Sequence, residues 1–259
     1  MRLDQVISQG CGCSIKAARD RIGGGGVSVN AVVCLEVSSQ VFVVADAVAV
    51  NGAVAGPPFD ARRVFFRLLL MHKARGAVCE SAARADSVLH AVPPELAHRH
   101  LAPVGRLDKD TTGLLLLTTD GGLSSLLTHP SCCVPKRYTA TLSAHRALEA
   151  DAVQRIATGI GLADGMVCAP ARLELGAEAN VVHLTLSEGK NHQVKRMLGA
   201  CGAAVEQLKR ETLGALRLAE LTPPLAEGEV RAPTAGEIQL IAASLPAERC
   251  RAKRPAKGT

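Results

Sequence analysis

The sequence predicts an α+β fold: a small amino-terminal module followed by a larger domain with a mixed, largely antiparallel sheet flanked by helices. Three observations carry this expectation. Helix-like and strand-like patterns mix along the chain without a strict β-α-β alternation. The uninterrupted apolar run Leu114 to Leu117, closed by Asp120-Gly121, reads as a buried strand. The break Gly56-Pro57-Pro58 marks a linker between a short leading segment and the rest. No repeat of fixed period and no glycine-rich nucleotide-binding motif interrupts this pattern.

In chain order, Leu3, Val6 and Ile7 define one face of a first helix ended by Gly10. Ser14 caps a second helix over Ile15 to Ile22, stopped by the glycines at 23 to 26. Val27 and Val29 alternate with Ser28 and Asn30 as in a strand, and Val41 to Val50 forms a further strand-like run ending at Asn51-Gly52. The expected boundaries are a module over 1–55, a linker over 56–62, the main domain over 63–245 and a basic, disordered tail over 246–259. Within the main domain, Phe65 to Met71 reads as the first strand, Tyr138 to Leu142 as a strand and Leu148 to Ile156 as a helix. Gly159 to Gly165 reads as a turn-rich connection and Val181 to Ser187 as a strand.

The chain has 259 residues, 47% of them hydrophobic, enough for a sizeable core. Aromatics make up only 2%, with no Trp and one Tyr, so Ala, Val and Leu must build that core. The same scarcity argues against base recognition by rows of stacked rings. The net charge is +6, and Arg249, Arg251, Lys253, Arg254 and Lys257 supply +5 of it, which leaves residues 1–248 near neutrality. Such a tail reads as an arm for nucleic acid. Between Lys190 and Arg217 six Lys/Arg face only Glu206 and Glu211, a second basic excess suited to a binding face. The nine cysteines include no Cys-x-x-Cys pair, so they read as reduced, small apolar residues of a cytoplasmic protein, and no metal site is expected. No leader peptide opens the chain and no apolar run approaches the ~20 residues of a membrane span.

Three stations carry the chemistry. Gly105-Arg106-Leu107-Asp108 sets an acid in a polar turn at the mouth of the Leu114–Leu117 strand, an unfavourable place for a carboxylate unless it reacts. Lys136-Arg137-Tyr138 opens a strand. In Glu188 to Met197, Val194, Met197, Leu198 and Cys201 follow the i, i+3, i+4, i+7 spacing of one apolar helical face, with Gly202 as its stop. Lys195 then lies on the shoulder of that face, toward a cleft edge, and Arg196 opposite it.

The segment Val104 to Gly121 resembles the signature of the RsuA/RluB/RluE/RluF family of ribosomal RNA pseudouridine synthases. All three stations match the family's motifs in the family's order, over roughly residues 2 to 241. The leading helix-helix-strand order resembles the S-four-like RNA-binding domain, named for a small-subunit ribosomal protein. The resemblance implies that Asp108 is the catalytic aspartate, that Tyr138 lies against the target base, and that a basic residue of the third station, assigned here to Lys195, pairs with the aspartate. A cation within ~4–6 Å would keep that carboxylate ionised in a cleft where phosphates and exclusion of water raise its pKa. Expected RNA contacts are Arg106, Lys73, Lys136, Arg137, Gln193 and Arg196, with Lys16 and Arg19 in the leading module; His192, at a helix start beside Gln193, reads as RNA-contacting or structural rather than as a general base. The chain departs from the family at 23–26, at Ala31 in place of a turn glycine, and at His72 and Ala74, where relatives show Asn and Pro.

The implied reaction cuts the glycosidic bond of one uridine, rotates the uracil and rejoins it through carbon, with no cofactor or metal. Asp108 either attacks the sugar carbon or removes a sugar proton. The implied partner is ribosomal RNA within a small-subunit assembly intermediate, met by a monomer. Asp110 to Gly113, Ser187 to Met197 and Leu225 to Arg231 favour the small-subunit (16S) branch. The alternatives are a large-subunit enzyme of the same family or a non-catalytic rRNA-binding assembly protein.

Overall fold

The structure is a computed structural model that describes residues 1–41, 46–50, 67–143 and 148–245. The expected linker over 56–62 and basic tail over 246–259 lie outside the described residues, as do positions 42–45 of the Val41 to Val50 run. The described residues divide into two compact units, one drawn from Met1–Arg67 with Asp120–Leu123, the other from Leu68–Thr119 with Ser124–Leu245.

The first unit packs α1 (Leu3–Cys11) and α2 (Ile15–Gly23) against a three-stranded antiparallel sheet of β1 (Val27–Val29), β2 (Val32–Val33) and β3 (Val48–Val50), with β1 central. Leu3, Val6, Ile7, Cys11, Ala18, Ile22, Val27 and Val41 form its core. Gly10 does not end α1, because it is buried within the helix; the stop is Gly12, in the left-handed conformation at φ 60°. Ser14 caps α2 as expected, accepting a hydrogen bond from the Ala17 N–H. Only Val48–Val50 of the run 41–50 is described as strand.

Asn30 and Ala31 join β1 to β2 with φ of 53° and 64°, and Val29 pairs with Val32 across them. A two-residue hairpin with positive φ at both positions matches the strand twist and favours glycine. Ala31 occupies the position where glycine is usual and is exposed. Ala31→Gly is therefore expected to stabilise the protein by about 1 kcal/mol, the left-handed strain relieved less the extra freedom of the unfolded chain. Urea unfolding of the two proteins checks this; a lower midpoint for Ala31→Gly would contradict it.

The second unit is built on a mixed sheet. In chain order its strands are β4 (Leu68–Lys73), β5 (Ala102–Pro103), β6 (Thr111–Thr118), β7 (Lys136–Leu142), a separate small pair β8 (Ile160–Gly161) and β9 (Val167–Cys168), then β10 (Arg172–Leu175), β11 (Val181–Leu186), β12 (Val205–Leu213), β13 (Leu216–Arg217) and β14 (Val230–Arg231). The sheet order is β10-β11-β7-β12-β6-β4-β14, with β13 on β12 and β5 on β6. Every pairing in it is antiparallel except β6 with β12. The helices that follow α2 are α3 (Gly121–Thr128), whose first three residues belong to the first unit, α4 (Ala152–Thr158), α5 (Gln193–Ala200) and α6 (Ala235–Ala243).

The run Leu114 to Leu117 lies inside β6, buried along its length, which is why it carries no polar alternation. Asp120 then caps α3, its Oδ1 accepting from the N–H groups of Gly122 and Leu123. The helix expected over 148–156 begins only at Ala152, with Asp151 at the N-cap position. The apolar face of α5 is as expected: Val194, Met197, Leu198 and Cys201 are all buried.

Candidate active site

The turn that carries Asp108 is held from beneath. The Val104 N–H donates to the Leu116 carbonyl at 2.7 Å, and the Leu107 N–H donates to Cys79 Sγ at 3.4 Å. Burial pushes the Cys79 thiol up, so it stays neutral as this acceptor. The Thr111 N–H closes on the Asp108 carbonyl at 3.0 Å, and the Gly76 N–H donates to the Lys109 carbonyl at 2.7 Å. Lys73, at the end of β4, completes the support. Its ammonium donates to the carbonyls of Ala74 at 3.0 Å, Lys109 at 3.3 Å and Thr111 at 2.8 Å.

From the opposite side, α5 presents its first turn. Buried Gln193 accepts from the Lys190 N–H and donates to Glu188, which also accepts from the Ala169 N–H. Lys190 bridges back to Glu188 at 3.1 Å. This clasp ends at His192, which precedes the helix in the left-handed conformation at φ 48°. His192 Nδ1 lies 2.9 Å from Asp108 Oδ2. Lys195 Nζ lies 3.9 Å from the same oxygen and 2.6 Å from both oxygens of Asp110. The Lys195 hydrogen bond holds the Asp110 carboxyl below the usual carboxylate range. The arrangement is thus two carboxylates on one turn, a lysine clamping the outer one and a histidine engaging the inner one. Asp108 remains one-quarter exposed, accessible to a substrate.

Three expected RNA contacts are corrected by burial. Lys73 is 0% exposed and Lys136 4%. The Lys136 ammonium turns inward to the Val134 carbonyl at 2.9 Å, and burial, with Arg210 nearby, lowers its pKa to about 8. Gln193, 4% exposed, is spent on its clasp. All three ammonium or amide groups are spent on partners inside the protein, those of Lys73 and Gln193 on the backbone around the site. Lys195 pairs with Asp108 at 3.9 Å and, more closely, with Asp110 at 2.6 Å.

The other expected residues sit at or near the surface. Arg106 is exposed and makes no hydrogen bond or ion pair among the described residues. Arg137 pairs with Glu174 at 2.9 Å, and Arg196 with Asp164 at 2.5 Å. In the first unit Lys16 is exposed and Arg19 pairs with buried Asp4 at 3.0 Å. Tyr138 points inward from β7, flanked by Leu184 and Arg210, in the same buried cluster as Leu107 and Cys79 beneath the turn. Sequence reasoning missed Asp110 as the lysine's partner and His192 as the neighbour of Asp108. It also missed Arg210, buried on β12 with Nε donating to the Leu114 carbonyl at 2.8 Å.

Residues 67–200, which span this turn and all of α5, match the model of the RNA pseudouridylate synthase family. The chain belongs to this family. The synthase is 33% identical to the RNA pseudouridine synthase YtzG of Bacillus subtilis, over 93% of its own length and 98% of the relative's. It is 37% identical to ribosomal small subunit pseudouridine synthase A of Salmonella typhimurium, covering 93% and 100% of the two chains. It is 33% identical to ribosomal large subunit pseudouridine synthase B of Bacillus subtilis, covering 93% and 96%. A crystal structure of a pseudouridylate synthase superposes with a TM-score of 0.61 at 31% identity, over 93% of this chain and 99% of that one. The protein is an RNA pseudouridine synthase, an isomerase. No described helix is long and apolar enough to cross a membrane.

Proposed function

We propose that this synthase isomerises one uridine of ribosomal RNA in the small subunit, with Asp108 as the reacting carboxylate. The observation that carries the reading is the convergence of the Asp108 turn on α5, which brings His192 Nδ1 to 2.9 Å and Lys195 Nζ to 3.9 Å of one carboxylate oxygen. The Lys195 ammonium sets positive charge beside both carboxylates, and its hydrogen bond holds the Asp110 carboxyl below the usual carboxylate range. The target uridine is flipped out of its helix or loop at a cost of a few kcal/mol. Asp108 then acts at the sugar, on C1′ as nucleophile or on a sugar proton as base. The C1′–N1 bond breaks, C1′–C5 forms, the proton on C5 leaves and N1 takes one up, so the step is redox-neutral.

Arg106, free at the turn, fits the place vacated by the flipped nucleotide, and Arg137 and Arg196 fit phosphates beside it. Tyr138 closes the floor of the site toward the base. The leading unit, with Lys16 and Arg19 outward, contributes affinity for RNA. The full-length relatives named for the small subunit, together with Ser187 to Met197 and Leu225 to Arg231, favour 16S rRNA in an assembly intermediate in the cytoplasm.

Incubation of the purified protein with 16S and 23S rRNA, each naked and as ribosomal particles, tests the target. The expected outcome is a single new pseudouridine in 16S rRNA. Modification of 23S rRNA alone would overturn the small-subunit assignment, and no product on any of the four substrates would overturn the ribosomal one.

A further inference from the structure

His192 stands in an unusual backbone state. At φ 48° and ψ 30° it is left-handed, a conformation that costs a residue with a side chain roughly 1–2 kcal/mol. Its own side chain caps nothing in the helix it precedes. The buried Gln193–Glu188 clasp holds the backbone there and so aims the imidazole at the turn of Asp108. Lys195 is committed to Asp110 through both carboxylate oxygens at 2.6 Å. The nearest donor to Asp108 is therefore His192, at 2.9 Å, against 3.9 Å for the lysine. Both of these contacts fall on Oδ2, and Oδ1 accepts no hydrogen bond among the described residues.

We propose that His192 is a positioning residue for Asp108: its Nδ1 donates to Oδ2, fixes the carboxylate plane and leaves Oδ1 directed to the substrate. The inference rests on Asp108 being the reacting carboxylate. It gives the strained backbone a purpose, since a relaxed residue at 192 would send its side chain elsewhere. A side chain that only touched RNA would act on affinity; one that orients the reacting group acts on the chemical step.

Two substitutions separate these roles without disturbing the backbone. Asn and Gly both accept left-handed φ readily. The Asn amide nitrogen is bonded to Cγ, as Nδ1 is in histidine, so His192→Asn keeps a donor where His192→Gly removes it. Single-turnover pseudouridine formation is measured at saturating rRNA substrate, with the RNA concentration for half-maximal rate determined alongside. His192→Gly is expected to slow the saturated rate by about 10- to 100-fold, the loss of one hydrogen bond to a charged group. Its half-maximal concentration should move by less than about threefold, and His192→Asn should recover most of the lost rate. A His192→Gly protein with wild-type saturated rate, a loss confined to the half-maximal concentration, or an Asn variant no faster than Gly would each overturn the proposal. Asp108→Asn in the same assay keeps the two levels apart. Residual turnover there removes the underlying assignment, whereas an inactive Asp108→Asn beside a fully active His192→Gly removes only the role of His192.

Discussion

Asp108→Asn is expected to bind RNA at least as tightly as the wild type and to form no pseudouridine. The substitution is nearly isosteric. The side chain is one-quarter exposed and packs into no core, so the fold loses only the contacts with His192 and Lys195. Partly exposed pairs of this kind contribute about 1 kcal/mol or less. Binding holds or tightens because a negative charge beside the phosphates disappears while Lys195 and Arg106 remain. The chemical step fails because an amide is neither a nucleophile toward the sugar carbon nor a base for a sugar proton, and removal of such a group costs roughly 10⁴-fold or more. Filter binding and single-turnover assays on the same preparation read both halves of the expectation, and wild-type-like turnover would remove Asp108 from the chemistry.

Gly113→Ala is expected to cost the protein its fold. Gly113 lies in β6 between Lys73 of β4 and Arg210 of β12, at φ 109°. A Cβ there would sit 2.3 Å from the Arg210 carbonyl oxygen and 2.6 Å from the Arg210 nitrogen. Both clashing atoms are backbone, in the middle of the sheet, and cannot swing aside as a side chain would. The left-handed φ adds strain of its own. The sum exceeds about 4 kcal/mol, a large share of the 5–15 kcal/mol that holds a typical domain together. Circular dichroism and thermal unfolding check this; a melting temperature within a few degrees of the wild type would show that β6 and β12 do not approach so closely.

Much of the site's frame was legible because local pattern and tertiary role coincide there. The apolar run Leu114 to Leu117 could only be an interior strand, and the i, i+3, i+4, i+7 spacing from Val194 placed Lys195 at the edge of a buried helical face. The direction of individual polar side chains was less accessible. Lys136 shares strand parity with Tyr138, Ala140 and Leu142, so the alternation of β7 turns it inward. That cue was present in the sequence but outweighed by the motif's basic character. Lys73 had no such cue, because β4 is covered on both faces and shows no alternation. Its three carbonyl partners come from the loop after its own strand and from the Asp108 turn. The closer partner of Lys195, Asp110, is 85 residues away in sequence, and the His192 contact depends on a left-handed backbone at 192. Both arise from how two distant segments meet.

One carboxylate and one RNA target are reached by a single measurement. Pseudouridines are mapped at nucleotide resolution across all rRNA from cells whose chromosomal copy carries Asp108→Asn, with the protein present at wild-type abundance. If Asp108 is the reacting carboxylate and the small-subunit RNA its target, one pseudouridine of that RNA disappears and every other modification persists. An rRNA map identical to that of wild-type cells would contradict it.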